Sequence, residues 1–202
     1  MYIICLHEET FLLLFFISLF ISFMIYRKKN RIFRYWVLGT FILYSFFVIN
    51  LVILPITIYS KETLEHIYAE FEGQITYIQM IPFKTILNTF QTSGWKRQVL
   101  GNILLLYPLP VFIEIMSNFK ISVKKVFAIG FCVSFSLELC QLIISLLTHF
   151  PSRICDVDDL LLNTFGIFLG ILTTAAIKRS RFLNSLVQKF ALKSREQEIK
   201  NT

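Results

Sequence analysis

Five long apolar stretches constrain this chain more than any other feature. They cover Phe11–Tyr26, Tyr35–Tyr59, Val99–Met116, Val126–Leu147 and Leu160–Ile177. A helix needs about 20 apolar residues to cross a bilayer, with a range of about 17–25. The second and fourth stretches reach that length comfortably, the first is marginal, and the third and fifth are short. Charged residues make up only 16% of the 202 residues, against about a quarter in soluble domains. The sequence therefore predicts an all-α polytopic membrane helix bundle of about five transmembrane helices.

The basic residues indicate how such a bundle is oriented. Five lie in residues 27–34, three in residues 120–125 and seven in residues 178–200, so fifteen of the 20 fall on one side. Lys and Arg are enriched in cytoplasmic loops. We therefore expect the N-terminus outside and the C-terminus in the cytoplasm. This placement explains the net charge of +7 without a nucleic-acid partner.

Two segments outside the five stretches have an ambiguous pattern. The Gln79–Ile86 segment is too apolar for a free linker and too short to span, and Pro82 interrupts any helix there. It is either an interfacial or re-entrant segment covered by protein, or an ordinary extracellular loop. In Arg181–Lys193, apolar and basic positions alternate. That pattern fits either a helix lying on the membrane surface or a solvated tail.

The fourth stretch carries polar side chains on one helical face. Ser134, Glu138 and Gln141 are spaced four and three apart, which places them on the same side of a helix. With a rise of 1.5 Å per residue, Glu138 lies roughly 13 Å below the outer end of the helix. A carboxylate at that depth must be protonated, paired or facing a wet cavity.

The fifth stretch begins with a matching polar face. Asp156, Asp159 and Asn163 are spaced three and four apart, and Gly166 and Gly170 continue the same stripe. Small residues at this spacing allow two membrane helices to approach closely. Asp156 is also well placed as an N-cap, where free backbone N–H groups and the helix dipole favour a carboxylate.

Two further residues of the outer half complete a predicted polar cluster. Arg153 is either a structural ion-pair partner of Asp156, Asp159 or Glu138, or a clamp for the carboxylate or phosphate of a ligand. The third stretch brings in Asn102 at the depth of Asn163. The cluster then consists of Asn102, Glu138, Gln141, Arg153, Asp156, Asp159 and Asn163. No catalytic residue, cofactor or metal site is assigned, because no nucleophile triad, phosphate loop or metal-ligand spacing is present.

The remaining features of the third stretch concern its shape. Pro108 and Pro110 lie near its middle, where they must kink or interrupt the helix. Glu114 lies near the cytoplasmic end, and we interpret it as an ordinary interfacial residue.

These motifs, in this order, resemble the VanZ family. The matching blocks are Ile81-Pro82-Phe83-Lys84-Thr85-Ile86, Gly101-Asn102-Ile-Leu-Leu-Leu-Tyr-Pro108, Ser136-Leu-Glu138-Leu-Cys-Gln141 and Arg153-Ile-Cys-Asp156-Val-Asp158-Asp159-Leu-Leu-Leu-Asn163-Thr-Phe-Gly166. The resemblance covers roughly Tyr35 to Ile177. Pro110, where the family usually has Gly, and Cys155, which replaces a commoner aromatic residue, depart from the pattern. The resemblance implies a small polytopic bacterial membrane protein, from a family named for a member associated with lowered susceptibility to the lipoglycopeptide teicoplanin.

The resemblance and the residue pattern together lead us to expect a domain organisation and a set of functions. We expect an N-terminal anchor span with a basic cytoplasmic loop (1–34), a VanZ-like membrane domain (35–177) and a basic cytoplasmic tail (178–202) in the bacterial cell membrane. The first hypothesis is an envelope protein that lowers susceptibility to lipoglycopeptides through its outward-facing cluster. The alternatives are an enzyme acting on a lipid-linked phosphate or sugar, and a small transporter. The expected partners are the lipid bilayer and an amphipathic glycopeptide or a lipid-linked envelope precursor. The sequence indicates no oligomeric state.

Overall fold

A computed structural model describes residues 2–4, 13, 15–18, 20–21, 32–54, 56–72 and 75–180 of the chain. Within the predicted first span, Phe11–Tyr26, the described residues are helical. The prediction for the tail segment Arg181–Lys193 lies outside the described residues.

The described part of the chain is mainly helical, as predicted. It contains α1 (Ile32–Val52), α2 (Lys61–Glu70), α3 (Lys84–Phe90), α4 (Trp95–Leu106), α5 (Pro108–Met116), α6 (Val123–Leu147) and α7 (Val157–Arg179). Four short strands, which the sequence did not predict, form two pairs. Strand β1 (Tyr2–Ile4) pairs antiparallel with β2 (Ile56–Ile58), and β3 (Ile78–Gln79) pairs parallel with β4 (Cys155–Asp156).

Three helical units of the described residues are long and apolar enough to cross a membrane. They are the continuous α4–α5 unit (Trp95–Met116), α6 and α7. Helix α1 contributes a shorter apolar helix over Trp36–Val52. The expected second span to Tyr59 is too long, because the helix ends at Val52 and residues 56–58 form a strand with the N-terminal segment. The third and fifth spans are longer than predicted because their polar first turns are also helical.

The two prolines mark the boundary between α4 and α5, as predicted. Tyr107 stays in the helical region (φ −54°, ψ −40°), so the chain continues as one unit across the boundary. Pro108 has no N–H to continue the helical ladder. The Leu105 carbonyl nearby accepts a 2.6 Å hydrogen bond from the Tyr44 hydroxyl of α1.

Helix α7 lies at the centre of the bundle and packs against α4, α5 and α6. A Cβ atom on Gly166 would lie 2.0 Å from the Ile103 carbonyl oxygen, and one on Gly170 would lie 2.4 Å from that of Tyr107. The predicted close helix approach along this stripe is therefore confirmed. Pro110, one of the departures from the family pattern, packs against the same glycine, with its Cγ 3.0 Å from that Cβ position.

The bundle has two distinct ends. Helices α4 and α7 begin, and α1 and α6 end, at one end, which we call the cluster end because the predicted polar residues lie there. At the opposite end the buried Glu114 accepts a 2.8 Å hydrogen bond from Lys178 Nζ. The interpretation of Glu114 as an interfacial residue is therefore wrong. Its side chain is only 2% exposed and is paired with a cation.

A candidate functional site at the start of helix α7

Asp156 joins three parts of the chain at the start of α7. Its backbone is extended (φ −122°, ψ 126°), and one carboxylate oxygen accepts a 2.9 Å hydrogen bond from the Asp158 N–H. The predicted N-cap is therefore confirmed. The other oxygen accepts a 2.5 Å bond from the Thr85 hydroxyl. The Asp156 N–H in turn donates to Glu138 Oε2 of α6 at 3.1 Å, so the buried Glu138 fixes the point at which α7 begins.

Asp158 is fully buried and binds the backbone of a distant helix end. It accepts hydrogen bonds from the N–H groups of Phe83 (2.5 Å), Thr85 (2.8 Å) and Ile86 (3.1 Å). These groups lie at the start of α3, whose own N-cap residue, Phe83, provides no capping side chain. Unsatisfied N–H groups at a helix start favour an anion. Asp158 therefore caps α3 from another helix.

The chain before α3 is also held against the start of α7. The Cys155 N–H donates to the Tyr77 carbonyl at 3.0 Å, and Gln79 is paired with Asp156 in the β3–β4 ladder. Phe83 adopts a left-handed conformation (φ 66°), which turns the chain into α3. We call the contacts of Asp156 and Asp158 with residues 83–86 the aspartate clamp. The segment around Pro82 is consequently docked rather than free, and α3 starts two residues after Pro82, as expected from its helix-breaking character.

Asp159 points to a different neighbour. It accepts a short hydrogen bond from the Asn102 amide of α4, and the Gln98 side chain lies close enough to interact with it. Asp159 therefore ties α7 to α4, while Asp158 ties it to α3. The sequence placed Asn102 near the depth of Asn163, and this contact is consistent with that placement.

Three buried oxygens along the α6–α7 contact have no hydrogen-bond partner among the described residues. They are Ser134 Oγ, Gln141 Oε1 and Asn163 Oδ1. Gln141 directs its amide nitrogen to the Val52 carbonyl of α1 at 3.2 Å. Ser134 lies between Gly130, which contacts Ile167, and Glu138, which contacts Asp156. Ser134 and Asn163 therefore occupy matching levels of two antiparallel helices.

Arg153 binds a helix end rather than forming the direct ion pair that the sequence suggested, although its charge still acts on Asp159. The Arg153 side chain is exposed and donates to the Leu51 carbonyl at 2.9 Å. No salt bridge links Arg153 to an acidic side chain in the part of the chain that the structure describes. The last carbonyls of a helix lack intrahelical partners and carry the negative end of its dipole. Arg153 binds that end of α1 and so connects α1 to the loop before α7.

Cys155 lies between the two helices, beside the carboxylates. Burial raises the pKa of its thiol, and the nearby Glu138 and Asp156 carboxylates raise it further. The thiol is therefore a poor nucleophile near neutral pH. The described residues contain no group of three or more His, Cys, Asp or Glu side chains that is placed to hold a metal ion.

The structure brings most of the predicted cluster together at the cluster end, and it adds residues that spacing arguments leave out. Asn102 meets Asp159, and Glu138 meets Asp156, whereas Gln141 and Arg153 bind α1. Asp158, Thr85 and Gln98 are additional members. Asp158 and Thr85 both lie within the motifs that carry the family resemblance, which is the one signal that points to them.

A model of the VanZ/LLP1 family matches residues 41–178. The chain belongs to the VanZ/LLP1 family. The match begins inside α1 and ends in the last turn of α7, so it includes the aspartate clamp and all seven predicted cluster residues. Comparisons with curated proteins and with solved structures found no match. The family and the apolar helices together make this a membrane protein of the VanZ type.

Proposed function

We propose that this VanZ-type protein acts at the outer boundary of the bacterial cell membrane and lowers susceptibility to lipid-tailed glycopeptides such as teicoplanin. The membrane domain, residues 35–177, would carry this function, while the basic loop in 1–34 and the tail 178–202 would face the cytoplasm. Family membership and the apolar helices support this proposal. So does the collection of polar residues at one end of the bundle.

The distribution of charge supports an outward-facing cluster. The cluster end carries five of the 20 basic residues in a five-span arrangement, and cytoplasmic ends are usually the basic ones. Pairing of Tyr2–Ile4 with Ile56–Ile58 places the N-terminal residues beside the chain that follows α1, as an outside N-terminus requires. Reporter enzymes fused at the C-terminus and within α2 test the orientation. Activity of a periplasm-dependent reporter at the C-terminus would contradict it.

One observation carries the functional proposal: buried Asp158 fixes the position of a short segment that exposes apolar side chains. Phe83 and Leu87 of this segment are both exposed, although three hydrogen bonds from its backbone bind Asp158. A fixed apolar surface beside a polar cluster suits an amphipathic ligand, whose acyl chain contacts the surface and whose polar part faces the cluster. A glycopeptide engaged in this way is less available to anchor its tail beside its cell-wall target.

Susceptibility measurements test the proposal directly. A strain that depends on this protein should become more susceptible to teicoplanin when the protein carries Asp158→Asn, whereas Glu65→Gln, an exposed change in α2, should have no effect. A glycopeptide without a lipid tail serves as a second control, because its activity should not depend on the protein. Equal membrane levels of both variants must be shown by immunoblotting. Unchanged teicoplanin susceptibility on deletion of the whole protein would contradict the proposal.

A second candidate is an enzyme that acts on a lipid-linked phosphate or sugar. Glu138 and Asp159 support it. Glu138 accepts one backbone hydrogen bond and Asp159 accepts one from the Asn102 side chain, whereas Asp158 accepts three from the backbone of residues 83–86. The unpartnered acceptors of Gln141 and Asn163 lie on the same helices and would suit substrate hydroxyl groups. Comparing lipid-linked envelope intermediates between cells with the protein and cells carrying Glu138→Gln separates the two functions. An unchanged lipid profile counts against the enzyme.

A further inference from the structure

The segment held by the aspartate clamp exposes an unusual amount of apolar side chain. The exposed fractions are 70% for Met80, 60% for Ile81, 59% for Phe83, 62% for Leu87 and 51% for Phe90. The opposite side of the segment faces the bundle, where Thr89 is buried and Thr85 bonds Asp156. We call residues 80–90 the boundary segment. It is thus a two-sided element with its polar contacts inward and its apolar side chains outward.

Basic and aromatic side chains flank this apolar surface. Lys84 in α3 and Lys96 and Arg97 in the first turn of α4 are exposed. The Phe90 and Trp95 rings lie 5.2 Å apart, and Lys96 Nζ lies 5.8 Å from the Trp95 ring centre. Residues 80–100 contain no Asp or Glu. The stretch therefore combines apolar surface with positive charge that no acidic residue within it offsets.

The position of the segment along the bundle is fixed by two contacts. The clamp ties its middle to the first turn of α7, and Trp95 begins the continuous α4–α5 unit. Both points lie where helices long enough to span a membrane begin. In bulk water the five apolar side chains would be unfavourably hydrated, and in hydrocarbon the three cations would be costly. The boundary between headgroups and acyl chains satisfies both groups, and tryptophan is enriched there.

We propose that the boundary segment lies in the headgroup–acyl boundary at the cluster end and that Lys84, Lys96 and Arg97 bind the phosphates of anionic phospholipids. The occupant of the apolar surface is then the bilayer leaflet itself, continuous with the lipid-facing sides of α4 and α7, and the acyl chain of a glycopeptide would reach this surface only from within the leaflet. Charge complementarity selects anionic over zwitterionic headgroups. This inference is independent of glycopeptide susceptibility, because it requires only the surface and its depth.

Fluorescence quenching measures the depth of the segment. The chain has two tryptophans, so Trp36→Phe leaves Trp95 as the sole reporter. The full-length variant is reconstituted in vesicles of phosphatidylcholine and phosphatidylglycerol that carry a doxyl group near the headgroup or near the chain end. We expect the shallow doxyl lipid to quench Trp95 more strongly than the deep one, and aqueous iodide to quench it weakly. Strong iodide quenching with little quenching by either lipid would overturn the inference.

A second comparison tests the anionic preference. Doxyl-phosphatidylglycerol should quench Trp95 more than the same mole fraction of doxyl-phosphatidylcholine, since each nearby cation enriches an anionic lipid by up to roughly fivefold. Lys84→Gln combined with Arg97→Gln should reduce that difference, because only Lys96 of the three cations remains, while Lys61→Gln in α2 should leave it unchanged. Lys96 is kept because it lies beside the reporter ring. If the two lipids quench Trp95 equally in the Trp36→Phe protein that keeps all three cations, the proposed phosphate binding is contradicted.

Discussion

The buried carboxylate of Asp158 accepts a 2.5 Å hydrogen bond from the backbone N–H of Phe83, a residue 75 positions earlier in the chain. Two more N–H groups of the same helix start bind the other carboxylate oxygen. A central membrane helix thereby provides the capping group that the short helix α3 lacks. The position of the boundary segment depends on this one side chain more than on any residue of its own.

Replacing Asp158 by Asn should destabilise the protein by about 1.5–3 kcal/mol, because hydrogen bonds to a charged group are lost. The amide has one acceptor oxygen for three N–H donors, and its NH₂ group faces a donor instead of accepting from it. Thermal unfolding in detergent micelles measures the change, with Glu65→Gln as the matched exposed control. Equal midpoints for the two variants would show that the clamp contributes little to stability.

Gly166→Ala should disrupt the contact between α7 and α4. The added Cβ would lie 2.0 Å from the Ile103 carbonyl oxygen, a backbone atom that cannot move aside easily. Overpacking of this kind costs about 1–3 kcal/mol. Gly101→Ala is the control, since nothing lies within 4 Å of its Cβ position and alanine favours a helix interior by about 0.5–1 kcal/mol. Unfolding midpoints that shift the same way in both variants would contradict this packing.

The Glu114–Lys178 pair should respond unequally to loss of each partner. Glu114 is 2% exposed and Lys178 is 34% exposed, so Lys178→Ala leaves a buried carboxylate uncompensated, at a cost of about 3–5 kcal/mol. Glu114→Gln leaves a lysine that water can reach and should cost less. The double variant should be more stable than Lys178→Ala alone. Unfolding curves of the three variants check this order. A double variant whose loss of stability equals the sum of the two single losses would contradict it.

Cys155 should be alkylated slowly at neutral pH. Because burial and the nearby carboxylates raise the pKa of the thiol, a smaller fraction is thiolate at pH 7 than for an ordinary cysteine, and the rate should rise as pH increases. Maleimide labelling is measured after the other three cysteines are replaced by serine. A Glu65→Cys variant lacking all four natural cysteines is the exposed reference. Equal rates for the two thiols at pH 7 would contradict the half-buried placement of Cys155 beside the carboxylates.

Local patterns in the sequence were sufficient for part of the fold and site. Apolar length predicted a mainly helical membrane protein, although three helical units of the described residues rather than five are long and apolar enough to span. The three- and four-residue spacings predicted the polar faces of α6 and α7. The N-cap role of Asp156 was predictable because the capped N–H groups are its immediate neighbours. The glycine stripe likewise indicated a close helix approach before its partner, Ile103, was known.

Contacts between distant segments were not predictable in the same way. The predicted cluster does not include Asp158, because nothing local in the sequence shows that its partners are the N–H groups of Phe83, Thr85 and Ile86. Proximity in sequence predicts an acidic partner or a ligand for Arg153, whereas its side-chain hydrogen bond goes to the Leu51 carbonyl at the end of α1 and its charge acts on Asp159 from a greater distance. The end of α1 at Val52 was missed because hydropathy does not register the β1–β2 pairing that follows it. These three features depend on how distant segments are aligned against one another in the fold, and local patterns in a single sequence do not show that alignment.

The central claim is that Asp158 holds the boundary segment at the bilayer boundary, and a spin label at Leu87 tests it most directly. Leu87→Cys is labelled in protein whose four natural cysteines are replaced by serine, and its collisions with oxygen and with a water-soluble nickel chelate are compared in vesicles. The account predicts an oxygen-dominated signal when Asp158 is present and a shift towards the nickel chelate with Asp158→Asn. A label that collides mainly with the nickel chelate when Asp158 is present, or that gives the same result in both proteins, would contradict it.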